Sequence, residues 1–290
     1  MYTIENDLLK IKINPTGAEL SSVFNKLNEL EYLWSGDVNF WGKKSPVLFP
    51  VVGTLKNNRY YYNGKSYELT RHGFAREMIF VVAEQGPGSI TFNIQSNERT
   101  LRDFPFYFSF SIKYVLVENS LSVSYSIVNK GSSEMYFSVG GHPAFKVPVK
   151  EELEYEDYYL LFDKVEDAGR WPISKEGLIE PQPVVSVLNN TDRVQLSKEL
   201  FYGDALVFKQ LQSQQVQLRS DKDTAGLIFD FQGFPFVGIW AAKDADFVCI
   251  EPWCGIADSV DSSQDIKEKE GIITLDAGSV FERTWMVTIF

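Results

Sequence analysis

One of the chain's two histidines, His142, lies in the stretch 140–143 (GGHP), which follows an apolar run and ends in proline. A histidine side chain titrates near neutral pH, and catalytic groups are often carried on bends positioned by a rigid β scaffold. This combination indicates a proton donor, so the next question is which residues complete its chemistry.

Glu251 offers the complementary chemistry, because it ends the apolar run 247–250 and is followed at once by Pro252 and Trp253. We expect it at the end of a strand, where partial burial raises the pKa of a carboxyl group and makes it a useful base. Trp253 is either an apolar platform for a sugar face or, like many large aromatic residues at strand ends, part of the core.

Residues 69–76 (LTRHGFAR) place Arg71, His72 and Arg76 within a few positions of one another. Guanidinium groups present a planar fork of donors, and a neutral imidazole donates one hydrogen bond and accepts another. The cluster can therefore hold hydroxyl or phosphate oxygens, although surface arginines beside a loop histidine give the same short pattern. Asp204, next to Gly203 before an apolar run, is a further candidate ligand or a turn residue.

Other chemistries find less support. Cys249 and Cys254 lie five positions apart, which suits free thiols in a reducing compartment, and neither the cysteines nor the histidines have a familiar zinc-ligand spacing. We therefore predict no metal site. A hydrolase with Cys254 as nucleophile and His142 as base is disfavoured, because nothing basic near Cys254 would lower its thiol pKa. The motifs of serine hydrolases and P-loop nucleotide hydrolases are absent.

Strict alternation of apolar and polar residues predicts the strands that carry these side chains. Residues 104–129 predict two long antiparallel strands joined near Glu118-Asn119, and Asn63-Gly64 predicts a tight hairpin turn. Helical periodicity is confined to short stretches at 97–103 and 197–201. We predict an all-β chain, a large antiparallel β-sandwich with few short helices, forming a single domain over residues 1–290.

Composition limits the partners. Lysines and arginines number 28 against 39 acidic residues, a formal charge of -11 that repels nucleic acid. The acidic stretch 151–157 is predicted to be a solvated loop. The first residues lack the basic segment followed by an apolar run that is typical of a signal peptide, and no apolar run reaches membrane-spanning length. We expect a cytoplasmic protein, outside the membrane, that is a monomer or a homodimer.

Six stretches, in this order along the chain, resemble the aldose 1-epimerase, or galactose mutarotase, family: residues 17–20, 45–50, 71–76, 140–145, 204–208 and 249–253. The family's large β-sandwich agrees with the strand pattern. The resemblance implies an isomerase with a small sugar as substrate. Interconversion of the α and β anomers of an aldohexose needs one acid and one base, so no cofactor is expected.

By this resemblance, His142 matches the family's general acid and Glu251 its general base. Asp204 matches a carboxylate that binds sugar hydroxyls, while Arg76 and His72 match donors beside the ring. The chain departs from the better-known galactose mutarotases at Thr54, where their arginine would fall. Its compact His-Gly-Phe-Ala-Arg motif resembles a separate branch that includes hexose 6-phosphate epimerases, so free and phosphorylated hexoses are both candidate substrates.

Two rival functions use the same residues. A glycosidase needs two carboxylates about 5 to 9.5 Å apart, for which Asp204 and Glu251 are candidates, but it leaves His142 without a role. A non-catalytic sugar-binding or sensing protein would keep Trp253, Asp204 and Arg76 without needing both His142 and Glu251. Because both are present, we favour the enzyme.

Overall fold

The computed structural model describes residues 1–182 and 184–290, and over these residues antiparallel strands dominate. In chain order the strands, β1 to β23, span Tyr2–Glu5, Leu9–Asn14, Glu19–Asn25, Leu30–Glu31, Val47–Leu48, Arg59–Tyr62, Lys65–Glu68, Val81–Gly86, Ser89–Gln95, Phe108–Val117, Ser120–Asn129, Met135–Phe137, Val139–Gly141, Ala144–Lys146, Tyr158–Arg170, Val184–Gln195, Leu206–Lys209, Gln215–Ser220, Leu227–Asp230, Phe236–Trp240, Phe247–Cys254, Ile273–Leu275 and Val280–Ile289.

Helical structure in the described residues is brief. Helix α1 spans Glu98–Asp103, and 3-10 turns span Lys56–Asn58, Ala75–Glu77, Tyr155–Asp157, Lys198–Phe201 and Ile266–Glu268. The Asn97 side chain accepts hydrogen bonds from two backbone N–H groups of α1, which explains where this helix begins. The two short helical stretches expected from the sequence are both found.

The largest sheet has nine strands, in the order β16, β15, β18, β19, β23, β11, β10, β9 and β8. Its neighbouring strands β10 and β11 are the predicted pair joined at Glu118-Asn119, and every second residue along each strand is buried. The first strand begins at Phe108 rather than at 104, because Phe104 still donates its backbone N–H to Thr100 at the end of α1.

A second sheet carries the order β17, β20, β21, β13 and β5, with β14 also paired to β21. Its inner side packs against the nine-stranded sheet. The Phe145 and Phe229 rings, one from each sheet, lie 5.7 Å apart, and Phe49 lies 4.8 Å from Phe110. Two sheets joined by an aromatic core form the predicted β-sandwich.

Smaller predictions also have clear outcomes. Asn63 and Gly64 have φ of 49° and 73° and join β6 to β7 as a hairpin. The acidic segment 151–157 is not wholly solvated, because Tyr155 is buried and donates its hydroxyl hydrogen to the Phe247 carbonyl. Cys249 and Cys254 are both free, as expected. Among the described residues, no helix combines the length and apolarity needed to cross a membrane.

Candidate active site

Glu251 lies inside strand β21, not at its end as expected, since the strand continues through Pro252 to Cys254. The neighbouring strands explain this. On one side β21 pairs first with β14 and then with β13, and the bend between them faces the middle of β21. The Ile250 N–H donates to the Pro143 carbonyl in that bend. Alternate N–H groups along a strand point to the same side, so position 252 faces the same bend as Ile250. A proline at this position therefore interrupts no hydrogen bonds between paired strands.

This bend also brings His142 to Glu251. His142 follows β13 directly, and its Nε2 lies 3.1 Å from Glu251 Oε2, with 10% and 2% of the two side chains exposed. The contact is close, yet it lacks the geometry of a regular hydrogen bond, and neither Glu251 Oε2 nor His142 Nδ1 has another partner among the described residues. Two residues 109 positions apart thus share one buried location with unused hydrogen-bonding capacity.

A cavity of about 270 Å³ surrounds the pair. It is lined by Trp41, Arg71, His72, Arg76, His142, Ile173, Asp204, Ala205, Trp240, Glu251 and Trp253. All seven residues singled out from the sequence therefore border one space, which is small even for a ligand pocket and suits a single small molecule.

His72 is held by Gly53 at two points. The His72 backbone N–H donates to the Gly53 carbonyl at 2.9 Å, and the Gly53 N–H donates to His72 Nδ1 at 3.1 Å. Burial lowers the pKa of His72 well below its ordinary value, so the ring is neutral with its single hydrogen on Nε2. Arg71 Nε also directs its N–H at the ring, toward Nε2 at 3.3 Å. A neutral imidazole accepts at one nitrogen only, so the Gly53 N–H and the Arg71 N–H compete for it. A substrate oxygen in contact with both Nε2 and Arg71 Nε would accept a hydrogen from each.

Two guanidinium groups border the cavity with few partners. Arg76 donates from Nη2 to the Arg71 carbonyl and lies 3.8 Å from Glu77, and burial lowers its pKa. Arg71 has no carboxylate within 4.0 Å among the described residues. Asp204 lies two residues before strand β17, in the left-handed region with φ of 84°, and its carboxylate accepts the Ala205 N–H. Such strained backbone is common where a side chain is aimed at a ligand.

Burial sets the protonation of the central pair. It lowers the pKa of His142 to about 3, and the positive charge of Arg71 acts in the same direction. Burial raises the pKa of Glu251 well above its ordinary 4.5, with Arg71 opposing the effect. In the free site these shifts favour a neutral imidazole and a protonated carboxyl group.

Trp253 lies across two glycines of neighbouring strands. A Cβ at Gly140 would come within 2.8 Å of the indole ring and one at Gly238 within 2.5 Å, so only glycine leaves room for it. The ring is 6% exposed, and its Nε1 has no regular partner among the described residues. Its N–H nevertheless lies near enough to Glu251 to oppose the rise in the pKa of that group. The suggested platform role stays a prediction.

Cys249 completes a cluster that spacing could not reveal. Ligand atoms of Cys249, His142 and Glu251 all lie within 4.8 Å of one another. Burial and the nearby Glu251 raise the pKa of the thiol well above its ordinary value, and Arg71 places a positive charge at the same pocket. A neutral thiol and a protonated carboxyl group are poor ligands for a cation, so the absence of a metal stays a prediction.

Four lining residues were missed from the sequence: Trp41, Ile173, Ala205 and Trp240. Trp41 belongs to the connection between β4 and β5, and Trp240 is the last residue of β20. Their rings flank His142, with centroid distances of 4.9 and 5.6 Å. An isolated tryptophan is far more often core than site, so no local signal distinguished them.

A larger groove of about 770 Å³ lies elsewhere, along residues 24–31, 146–153 and 222–223. It contains none of the residues singled out for chemistry. Most of its lining residues are polar or charged, and two of them, Lys150 and Asp223, are already paired at 2.5 Å. The smaller, enclosed cavity is therefore the candidate active site.

Comparisons with known proteins identify the family of the chain. The chain belongs to the aldose 1-epimerase family, whose model matches residues 1–280. It is 30% identical to the chromosomal protein LacX of Lactococcus lactis subsp. lactis over 99% of this chain and 98% of that one. The expected family is thus confirmed, while the branch suggested by the His-Gly-Phe-Ala-Arg motif stays a prediction.

Two solved structures have the same fold along the whole chain. A galactose mutarotase related enzyme from Lactobacillus acidophilus superposes with a TM-score of 0.94 at 38% identity, covering 100% of this chain and 97% of that one. A galactose mutarotase-like protein from Lactobacillus casei gives a TM-score of 0.94 at 31% identity, covering 100% of both. The fold predicted from the sequence is confirmed.

Proposed function

We propose that the protein is an aldose 1-epimerase that interconverts the α and β anomers of an aldohexose, with Glu251 as base and His142 as acid. The observation that carries this proposal is the 3.1 Å contact between the two side chains inside a cavity lined by hydrogen-bond donors. Family membership supports the reaction class.

In the forward step, ionised Glu251 removes the proton of the C1 hydroxyl while protonated His142 gives a proton to the ring oxygen. The bond between C1 and the ring oxygen breaks, and an open-chain aldehyde forms. After rotation about the C1–C2 bond, both proton transfers reverse on the other face. Each group contributes a rate factor of about 10² to 10⁴, enough for a reaction that already proceeds in water.

The protonation found in the free site matches the ring-opened half of this cycle, in which Glu251 holds the proton and His142 is neutral. A cyclic sugar therefore needs the proton on His142 first, and the 3.1 Å contact offers a short route from the carboxyl group. The charge of Arg71 lowers the pKa of both groups, so it favours release of the proton by Glu251 and opposes its uptake by His142.

The remaining polar residues supply substrate contacts in this proposal. The donors on His72 Nε2 and Arg76 face oxygens that accept, while Asp204 accepts from hydroxyl groups. Trp253 lines the same space. A ring bound by such a constellation has its C1 hydroxyl and ring oxygen held beside the acid and base, which is the main requirement for a two-proton reaction.

A phosphorylated hexose is the second candidate substrate, and a specific feature favours it. Arg71 and Arg76 both border the cavity, and neither has a close carboxylate partner among the cavity residues. A guanidinium pair matches the oxygens of a phosphate group well.

The test follows a freshly dissolved α-anomer by polarimetry or NMR, using glucose, galactose and hexose 6-phosphates. A rate above the spontaneous one on any of them supports the enzyme. Binding without acceleration would instead identify a sugar-binding or sensing protein. For the phosphate, Arg71→Gln should raise KM for the 6-phosphate more than for the free sugar, and equal effects on both would contradict a phosphate contact.

A further inference from the structure

The imidazole of His142 lacks the hydrogen bond that usually fixes a catalytic histidine. Its Nδ1 is buried without a regular partner among the described residues, and its Nε2 meets Glu251 without regular hydrogen-bond geometry. The backbone of His142 itself is close enough to raise the pKa of the ring, but this contact joins the ring to no other residue. An acid whose donor must point at one place needs its ring held by some other contact.

Aromatic rings surround it instead. The Trp41 ring faces the imidazole at a tilt of 30°, with centroids 4.9 Å apart. Trp240 and His72 meet the ring edge-on, at 84° and 85° and at 5.6 and 5.8 Å. A tilted face and two perpendicular edges leave the imidazole little freedom to turn.

Trp41 is itself held firmly by its own connection. Its backbone N–H donates to the Asp37 carbonyl at 2.8 Å, and its carbonyl accepts the Trp34 indole N–H at 2.9 Å. The ring also stacks on Phe247 at the start of β21, with centroids 5.6 Å apart. The indole is therefore presented to His142 from an anchored backbone.

We propose that Trp41 is a positioning residue, whose indole ring packs against the His142 imidazole and holds Nε2 toward Glu251 in place of a hydrogen bond at Nδ1. Its catalytic consequence rests on the proposed acid role of His142. The geometric claim does not, because ring orientation is measured without substrate.

Imidazole 15N NMR tests the geometry directly, because the chain has two histidines and His142→Asn assigns their signals. In the wild type, His142 should give one set of sharp ring signals. In Trp41→Leu these signals should broaden or shift, whereas Trp41→Phe, which keeps an aromatic face, should restore them. Phe40→Leu is the matched control, since Phe40 lies in the same connection and is 47% exposed.

Kinetics gives the second readout. An aromatic pair contact corresponds to a factor of about 2 to 13, so kcat of Trp41→Leu should fall by this factor with a smaller change in KM. Wild-type imidazole signals in Trp41→Leu would overturn the proposal, as would a change in KM alone, which would assign Trp41 to the sugar. If the wild type turns over no sugar, the proposed function fails while the NMR spectra still decide the geometry.

Discussion

Replacing Glu251 by glutamine tests the protonation of the free site through its effect on stability. The carboxyl group is 2% exposed, and burial raises its pKa well above 4.5. Folding therefore requires Glu251 to take up a proton at any pH between 4.5 and its raised pKa, whereas the unfolded chain is ionised there. Glutamine has nearly the same shape but does not titrate, so the variant takes up no proton at this position when it folds.

The sign and the size follow from this difference. Because the pKa of Glu251 is raised in the fold, its contribution to the free energy of unfolding is fully present below pH 4.5. This contribution is lost as the pH rises toward the pKa in the folded protein. The loss is about 1.4 kcal/mol per pH unit. Between pH 5.5 and 7.5, the free energy of unfolding of Glu251→Gln should therefore rise by about 2.7 kcal/mol relative to that of the wild type, provided that the raised pKa lies above this range.

Urea unfolding at pH 5.5, 6.5 and 7.5 measures the free energy of unfolding of both proteins. Glu84→Gln, at an exposed position on the edge strand β8, is the matched control and should show no comparable trend. If Glu251 were instead ionised beside a neutral His142 in the fold, the difference between Glu251→Gln and wild type would stay level over this range. That result would refute the protonation described above.

Two further predictions concern stability. Gly238→Ala should lower the free energy of unfolding by about 1 to 3 kcal/mol, because its Cβ would stand 2.5 Å from the Trp253 ring, and an unchanged melting temperature would contradict this packing. Asp258→Asn should lower the free energy of unfolding, measured in urea, by about 3 to 5 kcal/mol. It leaves the charged Lys269 without its partner in a buried pair, in which both side chains are 3% exposed. Asp221→Asn, at a solvent-exposed pair, should cost far less, and equal losses would contradict the role of burial.

Local pattern was enough for the framework of the fold. The alternation in residues 108–117 and 120–129 is a direct consequence of a sheet with one buried face, so strands and faces could be predicted together. The hairpin turn at Asn63-Gly64 could be predicted for a similar reason, since its conformation depends on these two residues alone.

Placement of the site residues depends on long-range pairing, which local pattern does not contain. His142 meets Glu251 because β13 pairs with the far end of β21 and the chain then bends away. Only the family resemblance suggested this meeting in advance. The strand end predicted at Glu251 was wrong. In the sequence, Pro252 indicates the end of a strand, and only the structure shows that its backbone nitrogen faces a side of β21 without a pairing partner at that position.

The aromatic surroundings of His142 were missed for the same reason. Trp41 and Trp240 lie 101 and 98 positions from His142 and carry no signature of a site. Their importance follows from ring distances and angles alone. Cys249 illustrates the converse, since its closeness to His142 and Glu251 becomes evident only once strand β21 is built.

The central claim is that His142 and Glu251 act as one acid and base unit, and a double-mutant comparison of anomer exchange by NMR tests it most directly. His142→Asn and Glu251→Gln should each lower the catalysed rate by about 10² to 10⁴ while sugar binding and folding are largely kept. The double variant should be about as slow as the slower single variant, because groups that act together lose their function together. Wild-type exchange in either single variant, or losses that multiply in the double variant, would contradict the claim.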